Sequence, residues 1–164
     1  MLLGILSDTH DRIDAMAEGM RLLRDAGAGF YVHCGDVGSE AILDHLAGVP
    51  SAFVFGNTDW NTPSLRRYAE QTDVQCLGHF GTLDLAGRKI AVIHGDDTSR
   101  LKQLLDQQHD YLVLGHSHVA GEKRVGRTRV INPGALHRAK VKTVALLNLE
   151  TDELRWIEVQ APGK

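Results

Sequence analysis

Five times along this chain an apolar run of strand length ends in a turn that carries aspartate, asparagine or histidine: "ILSDTH", "VHCGD", "VFGNTD", "VIHGDD" and "LVLGHSH". Four of those turns also hold a glycine. This repetition constrains the fold, because open α/β sheets gather their ligands at the carboxyl ends of strands.

The remaining pattern agrees with such a sheet. Strand-length runs at Leu2–Leu6, Phe30–His33, Ala52–Phe55, Thr82–Leu85, Lys89–Ile93, Tyr111–Leu114, Thr128–Ile131, Thr143–Asn148 and Glu153–Val159 alternate with segments of helical period. Ile13, Met16, Ala17, Met20 and Leu23 mark one helical face, which Gly27 can stop. A second helix starts at Ser39 and carries Ile42, Leu43 and Leu46. Thr62 as cap, followed by Pro63, opens a third, and Ser99 opens a fourth through Leu101, Leu104 and Leu105. Strand–helix alternation in the first half predicts a parallel sheet, whereas the turns "LAGRK" and "LETDE" predict antiparallel hairpins. The expected architecture is a single α/β domain over residues 1–164, with mixed sheets and outer helices.

Composition excludes several classes. A chain of 164 residues, 43% hydrophobic and 24% charged, can bury a sizeable core. Its formal net charge of −3 supplies no global positive field for long nucleic acid. No apolar run is long enough to span a membrane, and the opening apolar run lacks the basic flank of a signal peptide. Cys34 and Cys76 stand far apart and form no C-x-x-C pair, so a disulfide framework is not expected and a cytoplasmic protein is.

The polar residues past the strand ends are Asp8, His10, Asp36, Asn57, His94, His116 and His118. Each alone has an ordinary explanation: Asp8 as a helix cap, Asp36 and Asn57 as turn residues beside glycine, His94 as a hydrogen-bonded loop histidine. Together, two carboxylates, an amide and four imidazoles point to metal. One tetrahedral zinc takes four ligands, so seven suit two ions if a carboxylate bridges. Mixed imidazole and carboxylate donors favour manganese, iron, nickel or zinc over magnesium or calcium.

The order Asp-x-His, Gly-Asp, Gly-Asn-x-Asp, His-Gly and Gly-His-x-His, followed by "NPGA" for the usual Asn-Pro-Gly-Ser, resembles the calcineurin-like metallophosphoesterase superfamily. Within it, the chain is similar to the small bacterial and archaeal phosphodiesterases of the YfcE type. The resemblance runs from Leu2 through the closing hairpin and implies a four-layer α/β/β/α sandwich, two divalent transition-metal ions with manganese foremost, and hydrolysis of small phosphate esters. Residue by residue, it puts Asp8, His10, Asp36 and His118 around one ion and Asp36, Asn57, His94 and His116 around the other, with Asp36 bridging. Gly115 and Gly121 would free the backbone beside the histidines. Asp36, Asn57 and His94 are then catalytic, and Arg12, Thr58 and Asp59 are expected to contact substrate. In this scheme a hydroxide bridging the ions attacks phosphorus in line. Four metal charges, less two carboxylates and one hydroxide, leave a surplus of one to attract an anionic ester.

Two departures bear on the substrate. This chain has Thr58 where relatives often carry histidine or cysteine, and Asp96 where the family often writes the second histidine of His-Gly-His. A threonine hydroxyl is no general acid near neutral pH, so a phosphodiesterase fastest on activated aryl leaving groups is expected. The alternatives are a phosphomonoesterase on the same site, or a non-enzymatic scaffold of the retromer-subunit type. A scaffold predicts lost ligands, whereas all seven are present. The seven basic residues from Lys123 to Lys142 are read as a solvated strand face in preference to a phosphate-binding edge. Of the other histidines only His137, just past the Asn132–Ala135 turn, is placed to approach the site. The oligomeric state is left open.

Overall fold

The computed structural model describes residues 1–160. In chain order the elements are β1 (Leu2–Leu6), α1 (Ile13–Asp25), β2 (Phe30–His33), α2 (Glu40–Leu43), β3 (Ser51–Phe53), α3 (Thr62–Glu70), β4 (Gln75–Cys76), β5 (Phe80–Leu85), β6 (Arg88–Ile93), α4 (Thr98–Asp106), β7 (Tyr111–Val113), β8 (Gly121–Val125), β9 (Thr128–Asn132), β10 (Thr143–Asn148) and β11 (Leu154–Glu158).

The strands form two mixed sheets, ordered β11-β10-β1-β2-β3-β4 and β5-β6-β7-β9-β8. β1 to β4 run parallel, as do β6, β7 and β9. The hairpins expected at "LAGRK" and "LETDE" pair β5 with β6 and β10 with β11.

Alternation along the strands sorts the apolar residues into layers. Leu3, Ile5, Val32 and Ala52 of the first sheet meet Ile90, Val92, Tyr111, Val113 and Ile131 of the second in a dry core between the sheets. On the outer side of the first sheet, Leu6 and Phe53 pack with Met16, Met20 and Leu23 of α1 and with Ile42, Leu43 and Leu65 from the next two helices. Ala91, Ile93, Leu112 and Val130 pack with Leu104 of α4 on the far side of the second sheet. The result is the expected α/β/β/α sandwich. A truncation such as Ile5→Ala, in the layer both sheets share, should cost about 2–5 kcal/mol.

Local details differ from the expectations above. The buried face of α1 is Ala15, Met16, Gly19, Met20 and Leu23, while Ile13 and Ala17 are exposed. α2 ends at Leu43, leaving Leu46 buried in the turns that follow. Asn61, not Thr62, caps α3 by accepting from the Ser64 N–H at 3.2 Å, and Asp97, not Ser99, caps α4 by accepting from Arg100 at 3.0 Å. β8 was not expected at all: its Glu122, Lys123 and Arg124 are exposed, as befits an edge strand. Within the basic stretch, Arg127 pairs with Asp110 at 3.0 Å and Arg129 with Glu122 at 2.5 Å. No helix among the described residues is long and apolar enough to cross a membrane.

Candidate metal centre

The loops after β1, β2 and β3 in one sheet and after β6 and β7 in the other meet at a common end of the sandwich. Backbone pairing continues past the strands and holds them there. Asp8 donates to the Gly35 carbonyl at 3.0 Å, His10 to the Asp36 carbonyl at 3.0 Å, and Gly115 to the His94 carbonyl at 2.9 Å. From β9, the buried Asn132 amide donates to the Gly115 carbonyl at 3.1 Å and to Ser117 Oγ at 3.0 Å, which fixes the loop carrying His116 and His118.

Asp8, His10, Asp36 and His118 converge so that one ligand atom from each lies within 4.8 Å of all the others. His118 Nε2 is 3.1 Å from Asp8 Oδ1. Asp36 Oδ2 stands between two imidazoles, 3.4 Å from His10 Nε2 and 3.2 Å from His94 Nε2.

Each carboxylate is pinned by one oxygen and presents the other. Asp8 Oδ2 accepts from the Ser7 hydroxyl and, at 3.1 Å, from the His116 N–H. Asp36 Oδ1 accepts from the Thr58 N–H at 2.9 Å. Gly56 and Gly115 allow these close approaches, since a Cβ on Gly56 would collide with Asp36 and one on Gly115 with Ser7 and Asp8. Gly121, by contrast, opens β8 with open space where a Cβ would stand, so no close approach there requires glycine.

Three polar atoms facing the cluster are buried without a hydrogen-bond partner: Asp8 Oδ1, His10 Nε2 and His94 Nε2. Native interiors rarely leave such groups unpaired, because each costs about 1–3 kcal/mol. A carboxylate oxygen and two imidazole nitrogens aimed at one space form a donor set suited to a cation. His94 is oriented for this: its Nδ1–H donates to the Cys34 carbonyl at 2.8 Å, turning Nε2 inward, as ligating histidines do. Although Nε2 lies 3.2 Å from Asp36, the direction of approach is not that of a hydrogen bond. Burial alone would lower the His94 pKa, yet the Asp36 and Asp8 carboxylates outweigh it and push it up to about 9. Asp36 is held well below the usual carboxylate range by His94 and the Thr58 N–H, against the opposing effect of burial. The field at the centre therefore draws positive charge.

Two residues behind the loops, His33 and Thr9, were given no role from the sequence. His33 is fully buried; its Nδ1 accepts from the Gly35 N–H at 3.2 Å and its Nε2 meets Thr9 Oγ1 at 3.1 Å. Thr9 in turn donates to the Val37 carbonyl at 2.8 Å, tying the β1 and β2 loops together. Their only sequence signal was position beside candidate ligands.

Backbone conformation is the second feature the sequence did not announce. Asp8, His10, Asp36, His116 and His118 all have positive φ, between 42° and 71°. Five of the seven expected ligands therefore sit in the left-handed region; aspartate tolerates it, so the cost, about 1 kcal/mol each, falls mainly on His10, His116 and His118.

The expected second set is assembled less tightly. His116 packs edge-on against His94 with ring centroids 5.1 Å apart, but its side chain and that of Asn57 are exposed. Arg12 is half exposed, with its Nε 3.6 Å from Asp14. His137 does approach, its ring 5.4 Å from that of His10; burial and the neighbouring His10, Arg12 and Arg138 lower its pKa. Asp59 is engaged by the backbone: its carboxylate is buried and accepts from the N–H groups of Gly56 at 2.8 Å, Gly38 at 3.0 Å and Val37 at 3.2 Å, so it staples two loops.

Two mixed sheets with an Asp/His cluster where strands of both end define an α/β protein with a candidate metal centre at the carboxyl ends of its strands. More specifically, the chain belongs to the calcineurin-like phosphoesterase superfamily, whose domain profile matches residues 1–152. The phosphodiesterase MJ0936 of Methanocaldococcus jannaschii is 24% identical over 98% of this chain and 100% of its own length. The probable metallophosphoesterase YsnB of Bacillus subtilis is 30% identical over 90% of this chain and 84% of its own. The solved structure of an archaeal phosphodiesterase has the same fold, with a TM-score of 0.88 over 97% of this chain and 100% of that one at 24% identity.

Proposed function

We propose that this chain is a metal-dependent phosphodiesterase, with Asp8, His10, Asp36 and His118 holding one divalent ion and Asp36, Asn57, His94 and His116 a second. The observation that carries the reading is the convergence of the quartet within 4.8 Å together with three buried, partnerless donors. Asp36 Oδ2 lies 3.4 Å from His10 Nε2 and 3.2 Å from His94 Nε2, which supports a role for Asp36 in both sets. When bound, two such ions supply Lewis acidity at the phosphoryl group and an activated water as nucleophile. Manganese fits the mixed donors, as do iron, nickel and zinc.

The chain's own residues then set the rest. Asp8 and Asp36, each pinned by a backbone N–H, keep the centre's geometry fixed while an ester binds. Arg12 and His137 lie on the His10 side, where a phosphoryl oxygen would find donors. Thr58 offers a hydroxyl where an acid would help, so the leaving group must depart without a proton from that position. This favours activated diesters over monoesters of poor leaving groups, and the Methanocaldococcus relative is itself named a phosphodiesterase.

The reading takes residues 1–164 as one domain, supported by β10 near the end of the chain pairing with β1 at its start. It also places the protein in the cytoplasm, where the free thiols of Cys34 and Cys76 stay reduced. The deciding assay reloads metal-stripped protein with each candidate ion and compares an aryl phosphodiester with its matching monoester. The diester should turn over faster in manganese. A tenfold preference for the monoester would replace this reading with a phosphatase, and metal uptake without turnover of any ester would favour a scaffold.

A further inference from the structure

The closing hairpin of the chain reaches the metal centre from outside it. Trp156 of β11 pairs with Ala145 in the first sheet, and its indole packs against the core between the sheets. Its Nε1–H crosses to the second sheet and donates to the carbonyl of Asn132, the last residue of β9, at 2.9 Å. A second bond comes from β10, where Thr143 Oγ1 donates to the Pro133 carbonyl at 2.7 Å. Gly134 lies so close to that hydroxyl that a Cβ there would overlap it. The hairpin thus grips one side of the turn from Asn132 to Leu136.

On its other side the same turn reaches the centre by two routes. The Asn132 amide is locked, its Oδ1 accepting from the Gly134 N–H at 2.9 Å while its Nδ2 donates to Gly115 and Ser117. That segment carries His116 and His118. At the far end of the turn, the Leu136 N–H donates to the Ser7 carbonyl at 3.2 Å, and the Ser7 hydroxyl donates to Asp8 Oδ2. The two routes end on ligands that face each other, since His118 Nε2 stands 3.1 Å from Asp8 Oδ1.

The bonds around the turn therefore decide how far apart those two ligands stand. His118 holds a φ of 62°, a conformation histidine adopts only when its surroundings impose it. Ion affinity follows ligand geometry closely: loss of a residue that merely supports a ligand costs about 10–100-fold. Trp156 and Thr143 act one bond further out, so a smaller loss is expected from each.

We infer that Trp156 and Thr143 are positioning residues of the metal centre, which through the Asn132–Leu136 turn fix the gap between Asp8 and His118 and so the affinity for the ion held there. This rests on the metal-centre half of the phosphodiesterase reading. Neither side chain touches ion or ester in this scheme.

The test measures zinc affinity by chelator competition, at a temperature where every variant is folded, so that a change in stability alone leaves the result unmoved. Trp156→Phe keeps the ring and removes its N–H; Thr143→Val keeps the shape and removes the hydroxyl. Each should weaken zinc binding threefold or more, and Thr143→Val decides the matter if Trp156→Phe does not fold. Tyr111→Phe is the control. It removes a different bond of the same hairpin, from the Tyr111 hydroxyl to Asp152. Asn148 pairs with Leu2 at the start of β1, so that bond lies at the end of the sandwich away from the centre. Its loss should leave zinc affinity within twofold. Unchanged affinity in the folded Trp156 and Thr143 variants, or equal weakening by Tyr111→Phe, overturns the inference while the metal centre stands. If the unsubstituted protein binds no zinc, the metal reading falls and this inference falls with it.

Discussion

The backbone N–H of Thr58 donates to Asp36 Oδ1 at 2.9 Å, so Thr58 serves the centre through its main chain. Thr58→His should keep that bond and add an imidazole able to protonate a poorer leaving group. The expected outcome is new monoesterase activity. The ratio of aryl diester to monoester turnover in manganese should fall by tenfold or more, equivalent to about 1.4 kcal/mol in relative barrier. An unchanged ratio would show that leaving-group protonation is not what Thr58 withholds.

Asp36 faces both His10 and His94, at 3.4 and 3.2 Å. Asp36→Asn should lower hydrolysis by more than tenfold, since the loss of residues merely supporting metal ligands already costs about 10–100-fold. Circular dichroism should report an intact fold. Retention of more than about a tenth of the activity would rule out a role in both metal sets.

Metal uptake can be read without any substrate. Saturated protein should contain two transition-metal ions per chain and melt at higher temperature, because a ligand at 100 times its Kd adds about 2.7 kcal/mol. His118→Ala, which removes the nitrogen 3.1 Å from Asp8 Oδ1, should lose one ion and part of that gain. A single ion in the unsubstituted protein would contradict the two-ion reading.

Acid should weaken the fold through His33. Burial, aided by the charges of His94 and His10 against that of Asp36, lowers its pKa from 6.5 to about 3. Between those values the unfolded chain binds the extra proton. The contribution is therefore complete above pH 6.5 and shrinks as pH falls, by about 1.4 kcal/mol per unit, or about 2 kcal/mol at pH 5. His94, raised to about 9, has the opposite sign and loses its contribution only above pH 6.5. Denaturant melts of metal-free protein at pH 6.5 and 5.0 should show the loss, and His33→Gln should flatten it. An equal loss in the variant would assign the effect to another group.

Asp59 gives a separate test of a residue first read as a substrate contact. With three backbone N–H donors on its carboxylate, Asp59→Asn should destabilise the fold by about 1–3 kcal/mol. A raised KM with unchanged stability would restore the substrate role.

What the sequence disclosed followed burial. β1, β2 and β10 were legible to the residue because their apolar runs are buried in the sandwich. β8 was not, since an edge strand with three charged, exposed residues in succession carries no hydrophobic period. The caps of α3 and α4 moved by one or two residues because neighbouring polar side chains could each have served. At the centre, turn position identified the donors, but the staple made by Asp59 depends on Val37 and Gly38 more than twenty residues earlier, a relation that only the folded loops create.

The left-handed backbone at Asp8, His10, Asp36, His116 and His118 gives the site a direction in evolution. While these side chains are needed, selection must keep histidine at His10, His116 and His118, three positions where the local conformation disfavours it. Should the need lapse, glycine or asparagine at those positions would relieve the backbone, and the drift would be rewarded in stability rather than resisted. Losing the centre is a downhill path of single steps. Regaining it would demand several unfavourable substitutions before any benefit appeared, so descendants that abandon the chemistry would keep the sandwich and not return.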